Sequence, residues 1–480
     1  MSPSSPSFPE LLAELRAALA PNRVLDSPFE KVLYARDASA VGYAPPGVVC
    51  LPLTTAEVQA CVRIAAAHGR PVTPRGSGTG LAGGAVPLND PVVIVTTKMN
   101  RLVEVDEDSR TAWVEPGLLN LDLSRQVAHL GLHYAPDPSS QQTCSIGGNV
   151  ASNSGGPHCL LHGCTSAHVL AIEVVLADGS VCVLGGPEPD APGYDLRGAF
   201  VGSEGTMGIA TKILVRLMPN PPTIRTLLAD FASIRDASAA VSAIIGAGIL
   251  PAALEMMDAN CIAAVENFAH AGLPLDAAAV LLVEVEGLAA GTEIAASEIE
   301  AQCRASGARA VRVAATVEER MLLWKARKSA FGAIANIKPN YYLHDCVVPR
   351  TKLVEVMEKV VDIVESRGLI VLNVFHAGDG NLHPLIVFDR REPGVEEKVH
   401  EAGKEIIEAC VAAGGVLSGE HGIGLEKRDY MALVFSAVDL EHQQRLRDVF
   451  DPARRMNPEK VLPTGSWCGE LHHVPEGAWI

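Results

Sequence analysis

The first half of the chain alternates short apolar strands with a few helices. It also contains several glycine-rich loops. A strand at 48–51 leads into a helix capped by Thr54, because Glu57, three residues later, completes a capping box. The helix ends at Gly69. Further strands are predicted at 71–74, 92–96, 112–115, 171–177 and 213–217. The pattern therefore predicts a region of mixed strands and helices.

Pro219, Pro221 and Pro222 form the clearest boundary in the chain, because proline interrupts regular structure. Beyond them, strands and helices alternate, with glycine closing most helices. These elements are predicted at 224–257, 280–315, 352–366, 369–375, 395–413 and 416–418. Helices of this kind against one sheet predict an α+β domain with a mainly antiparallel sheet covered by helices.

The chain has 480 residues, a length that allows two substantial domains. We predict an N-terminal helical segment at 1–40, a first domain at 41–220, a second domain at 221–450 and a C-terminal segment at 451–480. A composition of 48% hydrophobic and 20% charged residues is typical of a soluble globular protein.

The charge and cysteine content exclude some functions. The 39 Lys and Arg against 56 Asp and Glu give a net charge of −17, which argues against a nucleic-acid-binding surface and against docking on anionic lipid. The 11 cysteines include no CxxC pair, so we expect reduced thiols in a cytoplasmic protein without its own iron–sulfur motif.

No secretion signal is evident, and one uncharged run needs a membrane test. The N-terminus is rich in Ser and Pro and lacks the basic and apolar parts of a signal peptide. The uncharged run at 237–254 is long enough to be a candidate span. Gly246, Gly248 and Pro251 instead favour a buried helix, a turn and a strand.

Three glycine-rich loops lie in the first domain, at 75–84, 145–156 and 202–209. The first contains GxGxxG at 78–83, but Pro87 follows where a Rossmann dinucleotide-binding domain requires a helix, so that fold is disfavoured. Small residues after a strand still expose backbone N–H groups that can bind a pyrophosphate, and Arg75 adds a positive charge. Three such loops exceed what chain reversal needs and indicate one extended ligand across them.

Two histidines flank an Asp-Gly turn signal in the second domain. If Asp379 and Gly380 form the centre of a hairpin, His376 and His383 face each other with Cβ atoms about 4.5–5.5 Å apart. The pair can bind a metal ion, or it can be two buried side chains with other partners. Glu420 and His421 follow later in a second glycine-rich turn. Two histidines and a carboxylate leave open positions on a divalent ion.

Another group of possible ligands, His158, Cys159, His162 and Cys164, has residue types that zinc accepts. It lies directly after the second glycine loop. The residue types alone therefore leave a metal site open here.

Five segments together resemble a known family: RGSGTGLAGGAVP, PDPSSQQTCSIGGNVASNSGGPHCLLHG, FVGSEGTMGI, HAGDGNLHP and SGEHGIGLEK. They are similar to the FAD-linked 2-hydroxy-acid dehydrogenases of the vanillyl-alcohol-oxidase and para-cresol-methylhydroxylase (PCMH) flavoproteins. The resemblance implies an α+β fold, with a two-part PCMH-type FAD-binding domain, a substrate domain and a C-terminal segment that returns to the flavin.

The resemblance also implies FAD contacts, and it implies that the group His158, Cys159, His162 and Cys164 belongs to the flavin loop and does not bind metal. FAD should be bound non-covalently, because the first loop lacks the histidine that attaches flavin in other members. The implied contacts are Pro74, Arg75, Gly76, Ser77, Gly78, Thr79, Gly80, Pro138, Ser145, Gly147, Gly148, Asn149, Ala151, Asn153, Gly155, Glu204, Gly208, Ile209 and Asn457.

Roles for the remaining chemical groups follow from the same resemblance. It implies Zn or Mn on His376, His383 and Glu420, with His421 as the base. Arg327 would bind the substrate carboxylate, although spacing alone allows Lys325, Arg327 and Lys328 to be a solvated helix face. Leu343 stands where we expect a lysine in enzymes for 2-hydroxyglutarate, which favours a short monocarboxylate.

The implied reaction is the oxidation of a short 2-hydroxy acid, glycolate or D-lactate, to the 2-oxo acid. His421 would remove the proton of a metal-bound hydroxyl while a hydride passes to FAD. The implied partners are an iron–sulfur subunit and a second flavin-domain subunit, which would hold a cytoplasmic protein at the inner membrane. The alternative is a stand-alone D-lactate or D-2-hydroxyglutarate dehydrogenase that reduces quinone or a cytochrome. A non-catalytic subunit is disfavoured because the side chains needed for chemistry are all present, namely His376, His383, Glu420, His421 and Arg327.

Overall fold

The computed structural model describes residues 7–188 and 192–464, so parts of the predicted segments 1–40 and 451–480 lie outside the described residues. The chain forms two units. The first comprises the described parts of Met1–Gly155, Cys164–Asn220 and Glu420–Ile480, and the second comprises Gly156–Gly163 and Pro221–Gly419.

The predicted domains differ from these units at two segments, of which the shorter, Gly156–Gly163, was predicted in the first domain and groups with the second unit. The break after Asn220 coincides with the proline cluster. Residues 420–450, predicted in the second domain, instead group with the first unit, as do the described parts of 1–40 and 451–480. The chain changes unit inside the SGEHGIG motif, where no proline or change in composition marks a boundary.

Helices and strands are numbered in chain order through the whole molecule. The described strands of the first unit are β1 (Val24–Leu25), β2 (Val48–Cys50), β3 (Val72–Arg75), β4 (Val92–Val95), β5 (Leu102–Asp106), β6 (Thr111–Val114), β7 (Leu132–His133), β8 (Val169–Val175), β9 (Val181–Gly185), β10 (Ile209–Arg216) and β11 (Met218–Pro219). Its described helices are α1 (Phe8–Ala18), α2 (Pro28–Lys31), α3 (Thr55–Ala67), α4 (Asn120–Val127), α5 (Ile146–Ser152), α7 (Leu196–Phe200) and α15 (Ala437–Phe450).

Two sheets make up most of the first unit. One has the order β1-β2-β4-β3, with β2 and β3 parallel to β4, and the other is the antiparallel sheet β5-β6-β10-β8-β9. Helix α3 connects β2 to β3, and Thr54 caps it as predicted, accepting a hydrogen bond from Glu57 N at 3.2 Å. Every residue of β4 is buried, as expected for a parallel strand covered on both faces.

The second unit alternates strands and helices. Its described strands are β12 (Thr223–Phe231), β13 (Ala253–Asp258), β14 (Ala279–Gly287), β15 (Ala308–Val313), β16 (Asn340–Leu343), β17 (Cys346–Val347), β18 (Ile370–His376), β19 (Asn381–Leu382) and β20 (Pro384–Phe388). Its described helices are α6 (Cys159–His162), α8 (Ile234–Gly246), α9 (Ala259–Ala269), α10 (Ala289–Ala305), α11 (Val317–Lys328), α12 (Ala330–Ile334), α13 (Leu353–Glu365) and α14 (Val395–Ala412).

One antiparallel sheet organises this unit. Its order is β15-β12-β14-β13-β18, and β18 continues both to β19 and β17 and to β20 and β16. The predicted mainly antiparallel α+β character is confirmed. The strand predicted at 416–418 is reduced to a single bridge between Val416 and Val347. A short apolar run after a glycine pair is enough to predict a strand, but here it does not form a continuous ladder of backbone hydrogen bonds with a neighbouring strand.

The uncharged run at 237–254 forms most of α8 and the first residues of β13, as predicted. Gly248, with φ of +79°, lies in the turn between them. Among the described helices, none has the length and hydropathy needed to cross a membrane.

Candidate functional site

The first glycine loop leaves the end of β3 and packs against the second. A Cβ on Gly76 would lie 2.4 Å from Ser145 Oγ, and a Cβ on Gly78 would meet the Arg75 guanidinium. Gly78 also has φ of +74°, which favours glycine. Residues 85–87 are not helical, which agrees with the prediction against a Rossmann fold. Glycine is therefore required where these two loops approach each other.

The second glycine loop contains the short helix α5, whose N-cap Ser145 accepts a hydrogen bond from Gly148 N at 3.4 Å. A Cβ on Gly147 would lie 2.6 Å from Pro116 Cβ, so the helix approaches that segment closely. Asn149 is buried beside Asn120, which donates to its side-chain oxygen at 3.1 Å. Gly147 and Asn149 therefore stabilise the packing of this loop against neighbouring segments.

Glu204 connects the third glycine loop to two other segments of the first unit. Its backbone N–H donates to Ala151 O at 2.8 Å, and its carboxylate accepts from Ile423 N at 2.7 Å. A Cβ on Gly422 would lie 2.8 Å from that carboxylate. Glu204 therefore fixes the turn that carries His421, a contact that the sequence did not reveal.

Asn457 closes the same network from the C-terminal segment. Its side-chain amide donates to Gly84 O at 2.8 Å and to Glu204 O at 2.7 Å, so it joins the first and third loops. The segment also lies beside β3, because Asn457 N donates to Val72 O at 2.7 Å. The described part of 451–480 thus returns to the glycine loops.

These residues fit FAD. Asn457 Oδ1, Ser203 Oγ and Thr73 Oγ1 are buried and have no hydrogen-bond partner among the described residues. Gly80 has an open face, where a Cβ would meet nothing nearer than Asp37 Oδ2 at 3.9 Å. Buried polar atoms without partners and an open backbone surface both suit a polar, extended ligand.

Burial shifts the titration of two charged groups near these loops. Burial raises the pKa of Glu204 to about 7, against the opposing effect of hydrogen bonds from Ile423 and Gly424. Burial also lowers the pKa of Lys460 to about 7, and its ammonium donates to Val86 O at 2.9 Å. Both groups would change charge near neutral pH.

In the second unit, the predicted histidine pair forms with a different register. His376 is opposite Asn381, and Asn373 is opposite Pro384. The loop therefore has four residues, 377–380, and the prediction that His383 lies directly opposite His376 is wrong by two positions. A shift of two preserves the face of a strand, and the ring centroids lie 5.1 Å apart. The two histidines are diagonal neighbours within reach of each other.

The surroundings of the two rings fit a metal ion. His376 Nδ1 lies 2.7 Å from Glu255 Oε1, and His383 Nδ1 lies 3.4 Å from His344 O. Metal-binding histidines commonly give one ring nitrogen to such an acceptor and the other to the metal. The donor set therefore suits a divalent ion that binds through Nε2.

Arg327 lies in the same buried cluster. It is 2% exposed, whereas Lys325 on the same helix is exposed, so a solvated face is excluded for Arg327. Its Nε donates to Glu255 Oε2 at 2.8 Å. Burial would raise the pKa of Glu255, but Arg327 and His376 outweigh it and hold that pKa below its ordinary value. We did not predict Glu255, although a carboxylate between the apolar residues of β13 is a visible signal.

Glu420 and His421 begin the return of the chain to the first unit. His421 Nε2 lies 4.0 Å from Glu420 Oε1. The residue before them, Gly419, belongs to the second unit and donates its N–H to Asp345 Oδ2 at 3.1 Å. Asp345 also accepts from Ser418 Oγ at 2.6 Å, so this carboxylate fixes the chain directly before the predicted ligand.

The alternative cluster at 158–164 has other partners. His158 Nε2 lies 3.3 Å from Glu284, and His162 Nε2 lies 2.9 Å from Glu286. The two glutamates project from one face of β14, and the His158 ring stacks at 5.2 Å on Trp324. Both histidines thus have carboxylate partners on β14, and the absence of metal at 158–164 stays a prediction.

Comparison with known families places the chain in a class. Residues 46–185 match the FAD binding domain, and residues 220–461 match the C-terminal domain of FAD linked oxidases. The chain therefore belongs to the FAD-linked oxidase family, and the predicted family and enzyme class are confirmed.

Individual relatives cover nearly the whole chain. Glycolate oxidase subunit GlcD of Escherichia coli (strain K12) is 42% identical over 97% of this chain and 94% of its own length. GlcD of Bacillus subtilis (strain 168) is 40% identical over 92% of this chain and 94% of its own length. A D-lactate dehydrogenase of Anaerostipes hadrus is 31% identical over 94% of this chain and 97% of its own length.

Solved structures confirm the PCMH-type fold. A crystal structure of p-cresol methylhydroxylase with substrate bound has a TM-score of 0.80 at 19% identity, covering 94% of this chain and 96% of that one. A 4-ethylphenol oxidase from Gulosibacter chungangensis has a TM-score of 0.78 at 20% identity, covering 95% and 97%. At this identity the likeness concerns the fold alone.

The open face of Gly80 allows a test of the FAD contact. Gly80→Ala should leave the fold intact, because the added methyl has space, but should weaken FAD binding at least about ten-fold if the cofactor lies against this backbone. Titration of flavin-free protein with FAD measures the affinity. Gly246→Ala, whose Cβ would meet nothing within 4 Å, is the control. Equal affinity for both variants would place FAD elsewhere.

The raised pKa of Glu204 predicts a pH dependence of stability. A folded-state pKa of about 7, against 4.5 for an ordinary glutamate, means that the folded protein holds the proton more tightly. Its contribution to stability is therefore full below pH 4.5 and declines as pH rises through 7. Glu204→Gln lacks this decline, so the stability of the variant relative to wild type should increase by roughly 2–3 kcal/mol between pH 5 and 8.

Urea unfolding of the flavin-free proteins at several pH values measures this difference, since bound FAD would itself shift the stability. A difference that stays constant from pH 5 to 8 would contradict the raised pKa.

Proposed function

We propose that this protein oxidises a short 2-hydroxy acid, glycolate or D-lactate, to the 2-oxo acid with non-covalently bound FAD. The observation that carries the proposal is the buried cluster of His376, His383 and Arg327 in a member of the FAD-linked oxidases. The cluster offers metal ligands and a cation for a carboxylate, the two groups that a 2-hydroxy acid requires. The similarity to GlcD over almost the whole chain supports it.

Arg327 binds the carboxylate of the substrate in this proposal. Glu255 contacts the Nε and Nη2 atoms of its guanidinium and leaves the Nη1 side to other acceptors. The Glu255 carboxylate also holds the guanidinium plane in place, which favours a bidentate contact with a planar carboxylate.

Two bound groups complete the site. FAD would be held by the glycine loops and Asn457, and a divalent ion, Zn or Mn, by His376, His383 and Glu420. When bound, FAD accepts the two electrons of the oxidation, and a divalent ion lowers the pKa of a hydroxyl group.

His421 takes the hydroxyl proton in this proposal. An imidazole has an ordinary pKa near 6.5, so its neutral form can accept a proton near neutral pH. The glycines on either side and the carboxylate of Glu204 on Ile423 N hold the turn that presents it.

Leu343 bears on the size of the substrate. It lies on β16 opposite Leu385 and is buried, so this position offers no cation to a second carboxylate. This supports a monocarboxylate over 2-hydroxyglutarate.

The electrons must leave the reduced flavin. We propose that they pass to companion subunits of a glycolate oxidase complex, one with iron–sulfur clusters and one with a second flavin domain, on the cytoplasmic side of the inner membrane. The similarity to GlcD, which is named as a subunit of glycolate oxidase, supports this assembly. The second candidate, a stand-alone D-lactate dehydrogenase, is supported by relatives of lower identity, 31–33%.

Replacing the proposed base tests the function. His421→Ala should reduce turnover of glycolate or D-lactate about 10²–10⁴-fold, because general base catalysis contributes that much, while FAD content stays unchanged. His442→Ala, an exposed histidine on α15, is the matched control and should have normal turnover. Steady-state assays with an artificial electron acceptor measure both. Normal turnover of His421→Ala with full FAD would refute its role.

A further inference from the structure

Glu255 joins two elements that carry separate parts of the proposed site. It lies on β13, directly opposite His376 on β18, and is 1% exposed. Its Oε2 accepts from Arg327 Nε at 2.8 Å and lies 2.5 Å from Nη2. Its Oε1 lies 2.7 Å from His376 Nδ1. One buried carboxylate therefore contacts both Arg327, the cation predicted to bind the substrate, and His376, a predicted metal ligand.

The chemistry of this contact determines the tautomer of His376. An ionised carboxylate only accepts hydrogen bonds, so His376 Nδ1 must carry the proton that faces Glu255. In the neutral ring, Nε2 then keeps its lone pair, which is the form that binds a divalent cation. Arg327 contacts the other oxygen of the same carboxylate, with Nε and Nη2 at 2.8 and 2.5 Å from Oε2, so each oxygen of Glu255 has its own partner.

We propose that Glu255 is a positioning residue that holds His376 in its metal-binding tautomer and Arg327 in its carboxylate-binding orientation. It touches neither the substrate nor the metal, but it couples the two parts of the site. This inference rests on the proposed function and goes beyond it, because it assigns a role to a residue outside the predicted ligand and substrate contacts.

Zinc affinity provides the primary test, since it does not depend on activity. Glu255→Gln should bind Zn²⁺ about 10–100-fold more weakly than wild type in a chelator competition titration, the range typical for loss of such an outer partner. The KM for glycolate should rise, because Arg327 loses its fixed orientation. FAD content should not change. Glu255→Asp, which restores the charge on a shorter side chain, should recover part of the zinc affinity.

The second unit offers a matched control. Glu284 on the adjacent strand β14 is equally buried and also contacts a histidine, His158, and an indole N–H, that of Trp324 at 2.6 Å. Glu284→Gln should disturb the sheet to a similar extent but leave zinc affinity unchanged. A loss in both variants would indicate a general structural effect and overturn the specific role of Glu255.

Glu255→Gln leaves Arg327 buried without its partner. Two further variants therefore test the proposal in case the Glu255→Gln protein does not fold. Glu255→Gln combined with Arg327→Gln removes both charges, and Arg327→Lys alone keeps a cation beside Glu255 and so retains the carboxylate on His376. We expect the double variant to lose zinc affinity and the single Arg327 variant to keep it. Equal zinc affinity in these two variants would overturn the proposal.

The outcomes separate this inference from the proposed function. A wild type that neither binds zinc nor oxidises the acids overturns both. A wild type that does both, with a Glu255→Gln variant that is folded and binds zinc normally, overturns the role of Glu255 alone.

Discussion

A carboxylate removed from water must find charged or hydrogen-bonding partners, and each unit depends on one such group. In the second unit Glu255 is matched by Arg327 and His376. In the first unit Glu204 is matched by the backbone N–H groups of the turn after His421. Because neither carboxyl group can move without leaving buried polar groups unpaired, the groups around each are held in a defined arrangement. The two fixed arrangements contain the residues that we assign to the chemistry.

The two carboxylates are satisfied in different ways, with different consequences. Glu255 has a full positive charge beside it, and its pKa is held below the ordinary value. Glu204 has mainly backbone donors, and burial raises its pKa to about 7. The first group is therefore a permanent anion at neutral pH, suited to fix a cation and an imidazole. Glu204 changes charge near neutral pH. The turn that carries His421 therefore lies beside a carboxyl group whose ionisation varies around pH 7.

The sequence revealed those features whose cause is local. Three glycine loops were recognisable because glycine is needed where backbones approach closely, as Gly76 and Gly147 show. The histidine pair was placed on the correct face of its hairpin but in the wrong register, since the face follows from a period of two and the register from the loop length. Gly380, with φ of +74°, ends a four-residue loop and is not the second residue of a two-residue turn.

Features that depend on distant partners could not be predicted. Glu255 meets Arg327 72 positions later and His376 121 positions later, and no local pattern joins the three. The return of the chain at Glu420 falls within a continuous glycine-rich motif, so its spacing indicates one turn and hides the change of unit. The fold alone would also mislead about function, because structures with TM-scores of 0.78–0.80 carry names that refer to phenols. The chemistry is indicated by the site residues.

The most direct test of the central claim is the visible spectrum of the purified protein, recorded without oxygen during titration with glycolate, D-lactate and L-lactate. We expect a flavin absorption band that glycolate or D-lactate bleaches, because electrons from the α-carbon reduce bound FAD. A flavin band that none of these acids bleaches would contradict the assignment to short 2-hydroxy acids.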